Sequence, residues 1–374
     1  MWDLSSRKFR VAGLAAASAT LVVIPPASAG ASAGGSSGPQ AYPVPVGGQA
    51  VLDSVVAPTA DDAWAGGFTL GTNGFSPLML HWDGSGWATV NVPDTTRIDE
   101  LSSTGAGDLW AMTDDQPLRW NGAKWVAVPL ATVPDMNQGG TLVADGPHDA
   151  WYVGGASDPN TGSSSSLVEE WNGQAWTILA LPAPLAGGGL VDVAAQGPDD
   201  VWVDGLTSTG VVLLAHWNGR SWTEVPAPAT GFAYTNLSEL MIVQPDDVWL
   251  AGWGETTDES GADRDSLMMH WNGSTWALSP TPAGNGELYD MTEAAGGPWA
   301  VGDTYHEPGV PYYAYALRWT DANWAEVTVP ATQEDSFDGV AAIPGGGVWV
   351  VGATTNDADV DPTVAPLLLR YPTD

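Results

Sequence analysis

The residues best suited to ligand chemistry stand in two segments that occur only once in the chain. One segment contains Trp253 and Glu255. The other is richer in aromatic and ionisable side chains, namely Tyr305, His306, Glu307, Tyr312 and Tyr313. Aromatic rings stack on the C–H faces of sugars, and carboxylates accept hydrogen bonds from hydroxyl groups. The two segments are therefore predicted to bind a ligand, with packing of each loop on itself as the alternative.

A run of alternating aspartates is the one candidate for a metal ion. Asp357, Asp359 and Asp361 supply hard oxygen ligands of the kind that Ca²⁺ prefers. Pro362 stands where an EF-hand-like loop has glycine, and Leu368 stands where such a loop has its final glutamate. We therefore predict a solvated acidic loop and no cofactor, with Ca²⁺ binding as the alternative.

Several other chemistries are excluded or assigned to the scaffold. The chain has no cysteine, so thiol nucleophiles, thiolate metal sites and disulfides are ruled out. Six basic side chains recur at one position, directly before an aromatic residue: His81, Arg119, His216, His270, Arg318 and Arg370. A position that recurs with a repeat usually serves the scaffold, so these side chains are predicted to be structural.

Tryptophan reveals the elements that hold the candidate segments. Nineteen of the 21 tryptophans fall on two recurring motifs. The first, Asp-Asp-Val-Trp-x-x-Gly or a close variant, contains Trp64, Trp110, Trp151, Trp202, Trp249, Trp299 and Trp349. The second, Trp-Asn-Gly-x-x-Trp or a close variant, covers 82–87, 120–125, 171–176, 217–222, 271–276 and 319–324. Seven copies spaced about 48 residues apart predict an all-β, seven-bladed β-propeller.

Each repeat is predicted to form four short strands, A to D. In the fourth repeat they cover 190–195, 201–203, 211–217 and 222–226. Pro198 and Asp199 favour a tight A–B turn, and Asn218-Gly219 predicts a C–D hairpin. Strands B and C are nearly apolar on both faces, as expected of sheets stacked between neighbouring blades.

The count of strands predicts how the ring closes. The last repeat ends after strand C, whereas residues 42–46 near the N-terminus resemble a strand D without a repeat. We predict that residues 41–46 pair beside 367–371 and complete blade seven, which removes an exposed sheet edge. Residues 30–40 are then a flexible Gly/Ser/Ala-rich lead, and the propeller spans 41–374.

The repeats resemble those of kelch-type propellers, the architecture of the galactose oxidase central domain. The glycine pairs Gly66-Gly67 and Gly154-Gly155, followed by an aromatic pair such as Trp217 and Trp222, match that pattern. They are also similar to Asp-Val-Trp-x-Val-Gly repeats of exported bacterial proteins. The resemblance implies that B–C and D–A connections share one face of the ring, where binding loops lie. It does not extend to galactose-oxidase copper chemistry, which by analogy needs a Cys–Tyr crosslink.

The N-terminus is predicted to be an export signal. Arg7, Lys8 and Arg10 precede a short apolar run at 11–24, and the small residues 27–29 suit a signal peptidase. The run is too short for a comfortable transmembrane helix. Cleavage after Ala29 would leave a bacterial extracellular protein without membrane insertion.

The charge of the remaining chain limits its partners. After residue 29 there are seven basic and 43 acidic residues, a net charge of −36. A surface this acidic repels phosphate backbones and anionic lipids, so nucleic acid and membrane surfaces are not expected partners. The charge also favours solubility, and we expect a monomer.

Three functions remain open at this level. The leading one is a non-catalytic protein that recognises an extracellular glycan or protein through the variable B–C and D–A face. The second is a glycan hydrolase or lyase in which Glu255, Glu307 and His306 act as acid and base. The third is a purely structural repeat domain, because a propeller fold alone does not specify an activity.

Overall fold

The computed structural model describes residues 38–72, 74–114, 116–131, 137–157, 164–256, 264–282, 286–304, 312–320, 322–330, 334–356 and 363–372. These residues form seven antiparallel sheets of four strands each. The first strands of successive sheets contact one another from blade 1 to blade 7 and back to blade 1. The sheets therefore form a closed ring with strand A innermost, which confirms the predicted seven-bladed β-propeller.

The strands are numbered in chain order, with β1 (Gln40–Ala41) at the N-terminus. The A strands are β2 (Gln49–Thr59), β6 (Ile98–Gly105), β10 (Asn137–Gly146), β14 (Gly189–Ala195), β18 (Tyr234–Gln244), β22 (Gly286–Ala294) and β26 (Asp335–Ala342). The B strands are β3 (Asp62–Gly71), β7 (Asp108–Thr113), β11 (Asp149–Ser157), β15 (Val201–Leu206), β19 (Asp247–Glu255), β23 (Gly297–Thr304) and β27 (Val348–Asn356). The C strands are β4 (Gly74–Trp82), β8 (Pro117–Trp120), β12 (Ser164–Trp171), β16 (Val212–Trp217), β20 (Arg264–Trp271), β24 (Ala314–Trp319) and β28 (Thr363–Tyr371). The D strands of blades 1 to 6 are β5 (Trp87–Thr89), β9 (Trp125–Ala127), β13 (Trp176–Ile178), β17 (Trp222–Glu224), β21 (Trp276–Leu278) and β25 (Trp324–Glu326).

A single helical turn, α1 (Ala183–Ala186), lies in the connection from β13 to β14. Within the described residues no helix is long and apolar enough to cross a membrane.

The recurring tryptophans lock each blade to the next. The strand B tryptophan of one blade lies against the two tryptophans of the following C–D hairpin. Trp64, for example, has its ring centre 4.9 Å from that of Trp120 and 5.5 Å from that of Trp125. Aromatic pairs at these separations add to the stability gained from burial. The repeat is therefore a contact between blades as well as a fold within one blade.

The N-terminal strand closes the ring as predicted, but a different stretch of residues forms the pairing. Gln40 pairs with Arg370 and Ala41 with Leu369, and the Tyr42 amide donates to the Leu368 carbonyl at 2.9 Å. The pairing thus begins at Gln40, one residue before the predicted segment 41–46, and ends at Tyr42, so residues 43–46 do not take part in it. Beyond it, Val44 and Val46 pack against the core between blades 7 and 1.

The glycine of the first motif has a structural reason that the sequence alone does not show. In most blades strand A carries a β-bulge, and in five of them a strand B glycine stands opposite it: Gly67, Gly205, Gly252, Gly302 and Gly352. A Cβ atom at any of these positions would collide with a carbonyl of strand A. Glycine allows the two backbones to approach closely.

The C–D hairpins use a four-residue loop between the paired tryptophans. In blade 4 the Asn218 side-chain oxygen accepts hydrogen bonds from the amides of Arg220 and Ser221, both at 3.1 Å. Gly219 then adopts a φ of 81°, a conformation that costs glycine little. The Asn-Gly pair therefore forms a turn closed by the asparagine side chain.

Candidate binding site

Two faces of the ring differ in how the strands are connected. The upper face is defined here as the end with the B–C and D–A connections, and the lower face as the end with the A–B and C–D turns. At the upper end of blade 5, Tyr234 pairs with Glu255, which pairs with Arg264. One step deeper, Asn236 pairs with Trp253, which pairs with Ser266. Because side chains alternate along a strand, all six project from one face of the sheet.

A cavity of about 400 Å³ opens at this place. Its lining consists of Tyr234, Thr235, Asn236, Trp253 and Glu255. This volume lies in the range of small-molecule sites. Tyr234 is 55% exposed, so its ring is available beside the opening. The pocket therefore combines an exposed aromatic ring with amide, carboxylate and hydroxyl groups.

Arg264 organises the polar side of the pocket. Its guanidinium carbon lies 4.2 Å from the centre of the Trp253 ring. Its Nε donates to Glu255 Oε1 at 2.8 Å, and its Nη1 donates to Glu287 Oε1 of blade 6 at 2.6 Å. Burial acts to lower the pKa of Arg264, but the carboxylates of Glu287 and Glu255 outweigh it and raise that pKa. The guanidinium therefore stays charged and joins blades 5 and 6.

Blade 6 supports this arrangement from the other side. The Tyr289 hydroxyl donates to Glu287 Oε2 at 2.9 Å. Burial first, and then the charges of Asp303 and Glu287, raise the pKa of Tyr289 well above its usual value. The phenol thus remains a neutral donor that helps to hold Glu287. Both oxygens of Glu287 are engaged by neighbouring side chains.

The rest of the upper face is also aromatic and apolar in places. Six large hydrophobic side chains of the described residues are exposed, and four of them lie at the upper ends of strands: Phe75, Val211, Tyr234 and Tyr313. The other two, Ile178 and Leu278, are on outer D strands. The exposed apolar groups are thus concentrated on the face where the connections vary.

The predicted site residues are only partly brought together. Trp253 and Glu255 line one pocket. Tyr312 and Tyr313 lie at the start of strand C in blade 6, where the Tyr312 hydroxyl lies 2.7 Å from Thr355 Oγ1 of blade 7. Burial is the main cause that raises the pKa of Tyr312. Tyr313 is 42% exposed, and its amide donates to Thr304 Oγ1 at 3.0 Å.

The remaining candidates lie outside the described residues. They are Tyr305, His306 and Glu307 of the blade 6 connection, and Asp357, Asp359 and Asp361 of the blade 7 connection. Within the described part of the chain, no group of three or more His, Cys, Asp or Glu side chains could hold a metal ion.

Tyr234, Asn236, Arg264 and Glu287 were missed by the sequence analysis. All four lie on A or C strands, and the sequence does not show which of their residues pair with which residues of strand B. Glu287 belongs in addition to the next blade. Arg264 did leave a signal, because it and Arg97 are the only arginines or lysines after position 29 that lie neither within a recurring motif nor at the recurring basic position.

The recurring basic position behaves as a scaffold feature in the structure. His81, His216 and His270 lie 2.9, 2.7 and 2.8 Å from an aspartate of strand B or the turn before it. Their rings lie beside the strand B tryptophans, at 4.1 to 4.8 Å between ring centres. These pairs lie at the lower face and belong to the contacts between strands rather than to the pocket.

Comparison with known proteins identifies the fold and no more. No protein-family model and no curated protein matches the chain. Among solved structures, YCF48 bound to a D1 peptide is similar at 15% identity, covering 90% of this chain and 98% of that one with a TM-score of 0.54. Oligogalacturonate lyase from Vibrio parahaemolyticus is similar at 9% identity, covering 86% and 91% with a TM-score of 0.53. Pyrococcus horikoshii acylaminoacyl peptidase is similar at 8% identity, covering 87% of this chain and 53% of that one with a TM-score of 0.55.

These likenesses support the β-propeller but not a shared activity. The kelch-type resemblance likewise stays a prediction from the repeat pattern.

Proposed function

We propose that the chain is a non-catalytic binding protein of the cell exterior, which recognises a carbohydrate or another protein through its upper face. The blade 5 pocket is the main contact. The observation that supports this most directly is the exposed Tyr234 ring beside a cavity lined by Asn236, Trp253 and Glu255. Aromatic side chains that are exposed on a rigid scaffold are common anchors of binding sites.

The contacts of the carboxylates favour binding over acid–base catalysis at this pocket. Glu255 Oε1 accepts from Arg264, and Glu287 is bonded to both Arg264 and Tyr289. A general acid must carry a proton and release it to the substrate, which a carboxylate paired with arginine is poorly suited to do. The similar folds include a protein solved with a peptide and a lyase, so the fold itself leaves both classes open.

Export is part of the proposal and rests on the predicted leader. Residues 11–24 and the small residues 27–29 have the pattern of a cleaved signal. Mass spectrometry of the protein secreted by a bacterial host tests it. A mature N-terminus at Gly30 would support export, whereas an intact Met1 in the cytoplasm would contradict it.

The binding function is tested with a chain that begins at residue 30. A glycan array and a panel of purified envelope proteins are probed with this chain, and the variant Tyr234→Ala is compared with Leu278→Ala. We expect Tyr234→Ala to weaken binding at least about tenfold, because an anchoring aromatic contributes about 2 kcal/mol or more. Leu278 is the control, since it is also an exposed apolar side chain of blade 5 but lies on the outer strand β21 and does not line the pocket.

Two results would overturn the proposal. One is ligand binding that is insensitive to Tyr234→Ala. The other is turnover of a bound glycan or peptide by the wild-type chain.

A further inference from the structure

We infer that the blade 5 pocket takes an uncharged sugar ring, and that Arg264 is a positioning residue that gives the pocket this selectivity. The inference rests on the proposed binding function and specifies the class of its ligand. It follows from the charges, the hydrogen-bonding groups and the dimensions of the pocket.

The charges at the pocket are compensated in large part from within. Glu255 and Glu287 are each joined to Arg264, at 2.8 and 2.6 Å, which leaves one net negative charge among the three. The three side chains are largely buried, with exposures of 17%, 5% and 17% respectively. An anionic ligand would meet two carboxylates and a guanidinium that is already engaged. A cationic ligand would meet that same guanidinium over the Trp253 ring and carboxylates that already accept hydrogen bonds, so a neutral ligand fits best.

The hydrogen-bonding groups suit hydroxyls. Asn236 offers both an acceptor and donors, the Tyr234 phenol can do either, and Glu255 accepts. A sugar hydroxyl also donates and accepts, so each of these groups can be matched by a neutral polyol. The exposed Tyr234 ring supplies an apolar surface for the C–H face of the same ring.

The dimensions fit one ring better than an extended chain. Tyr234 and Asn236 are two residues apart on β18, roughly 7 Å, and each lies about 5 Å from its partner on β19. Strands β19 and β20 are paired on both sides, whereas β18 is the inner edge of its sheet and contacts β14 and β22 of the neighbouring blades. The Leu240 amide of β18 is already bonded to Asp192 of blade 4, which disfavours pairing of this edge with a peptide backbone.

Arg264 acts on the ligand through its neighbours. Its guanidinium covers the Trp253 ring and fixes Glu255 by a directed hydrogen bond. Loss of the guanidinium would leave two carboxylates without their shared counter-ion. The net charge of the three side chains would then change from −1 to −2, and the preference of the pocket should move from neutral to positively charged sugars. A purely structural role of Arg264 predicts no such change of preference.

Isothermal titration calorimetry and ligand-observed NMR test this on the chain from residue 30. The probes are neutral oligosaccharides, amino-bearing oligosaccharides, oligouronates and an arginine-rich peptide. We expect the wild type to bind neutral saccharides best, and Tyr234→Ala to lose at least about tenfold in affinity while Leu278→Ala, on the outer strand β21, keeps it.

Arg264→Met should weaken neutral-sugar binding at least about tenfold and gain affinity for amino sugars. Arg264→Lys should restore the preference for neutral sugars in part, because lysine restores the positive charge but not the planar guanidinium that bonds two carboxylates at once. If Arg264→Met does not fold, Glu255→Gln provides the second readout. It removes one carboxylate with little change of shape and should raise the relative affinity for oligouronates.

The outcomes separate this inference from the binding function itself. A protein partner that requires Tyr234, with no saccharide bound, would leave the binding function intact and overturn the sugar inference. Preference of the wild type for oligouronates or for the basic peptide would also overturn it, as would an unchanged preference in both Arg264→Met and Glu255→Gln. Absence of any Tyr234-dependent binding would overturn both.

Discussion

The two faces of the propeller divide stability and recognition between them. On the lower face the same turn, the same tryptophan contacts and nearly the same polar pairs recur from blade to blade. On the upper face the connections differ in length and composition, and blade 5 forms a pocket whose lining residues lie outside the recurring motifs. The difference indicates that recurrence marks the scaffold, whereas departure from the repeat marks the place to look for function.

The inner strands show that acidic residues belong partly to the scaffold as well. Asp192 Oδ2 accepts the Leu240 amide of the next blade at 2.8 Å, and Asp290 Oδ2 accepts the Val340 amide at 2.8 Å. A charged acceptor makes a stronger hydrogen bond than a neutral one. Part of the large negative charge therefore joins blades to one another, and cannot be assigned entirely to solubility.

The largest expected effect comes from the N-terminal segment that completes blade 7. Deleting residues 30–46 removes the pairing of β1 and the Tyr42 ring, which lies 5.3 Å from Trp82 and 4.9 Å from Trp349 between ring centres. We expect the thermal midpoint to fall by roughly 10 °C, or the chain to aggregate, because several buried side chains are lost and a strand edge is exposed.

Deletion of residues 30–38 is the matched control for this experiment. It leaves the described contacts of Gln40, Ala41 and Tyr42 in place, so the midpoint should stay within about 1 °C of the intact chain. Equal midpoints for the two deletions, measured by calorimetry, would show that the N-terminal strand does not close the ring.

A smaller loss of stability is expected from a glycine in blade 1, far from the pocket. In Gly67→Ala the new Cβ would collide with the Val51 carbonyl, so β2 and β3 must separate. We expect a loss of about 3 kcal/mol in the free energy of unfolding, measured by denaturant titration. Gly86→Ala is the control, because open space surrounds that position and its φ is not in the left-handed region.

The same pair of variants sharpens the comparison of the two faces. Ligand affinity should be the same in both below their unfolding transitions, since neither residue lies near blade 5. If Gly67→Ala is as stable as Gly86→Ala, strand A can move away from the new methyl group at little cost. The glycine of the first motif would then need another explanation.

The sequence predicted the scaffold because the scaffold repeats. Seven tryptophan motifs give the blade count, and the spare strand near Tyr42 gives the closure. Of the residues at the pocket, the sequence predicted only Trp253 and Glu255, which lie on strand B. Its other members depend on the register with β18 and β20 and on the contact of Arg264 with Glu287 across two blades. Cross-strand and cross-blade contacts of this kind leave no periodic signal in a single sequence.

Blade 3 departs from the repeat on the lower face, where departures are otherwise rare. Six blades place a histidine or arginine over the strand B tryptophan, as His216 does over Trp202. Blade 3 has Glu170 at that position, paired in the ladder with Trp151. Asp149 remains two residues before Trp151, as in the blades with a His–Asp pair. Two half-buried carboxylates therefore stand where other blades place a carboxylate beside a histidine.

The smallest expected effect is the pH dependence that this pair creates. Burial, and then the charges of Asp145 and Glu170, raise the pKa of Asp149 from 3.8 to about 6. Burial also raises the pKa of Glu170. The folded chain then holds a proton more tightly than the unfolded chain, so this pair's contribution to the free energy of unfolding falls as pH rises from 3.8 to about 6.

Replacement of Glu170 should weaken that dependence, although burial, the main cause of the raised Asp149 pKa, remains. Glu170→Gln deletes the like charge, and Glu170→His supplies the partner that His216 provides to Asp200 at 2.7 Å in blade 4. At pH 7 each variant should gain roughly 1 kcal/mol, or about 2 °C in the thermal midpoint, since the pair is partly exposed and screened. Glu224→Gln, an exposed carboxylate on β17, controls for the general effect of losing one negative charge. If thermal midpoints between pH 4 and 7 change equally in Glu170→Gln and Glu224→Gln, the like charge of Glu170 does not destabilise blade 3. If Glu170→His is no more stable than Glu170→Gln, blade 3 gains nothing from a basic partner.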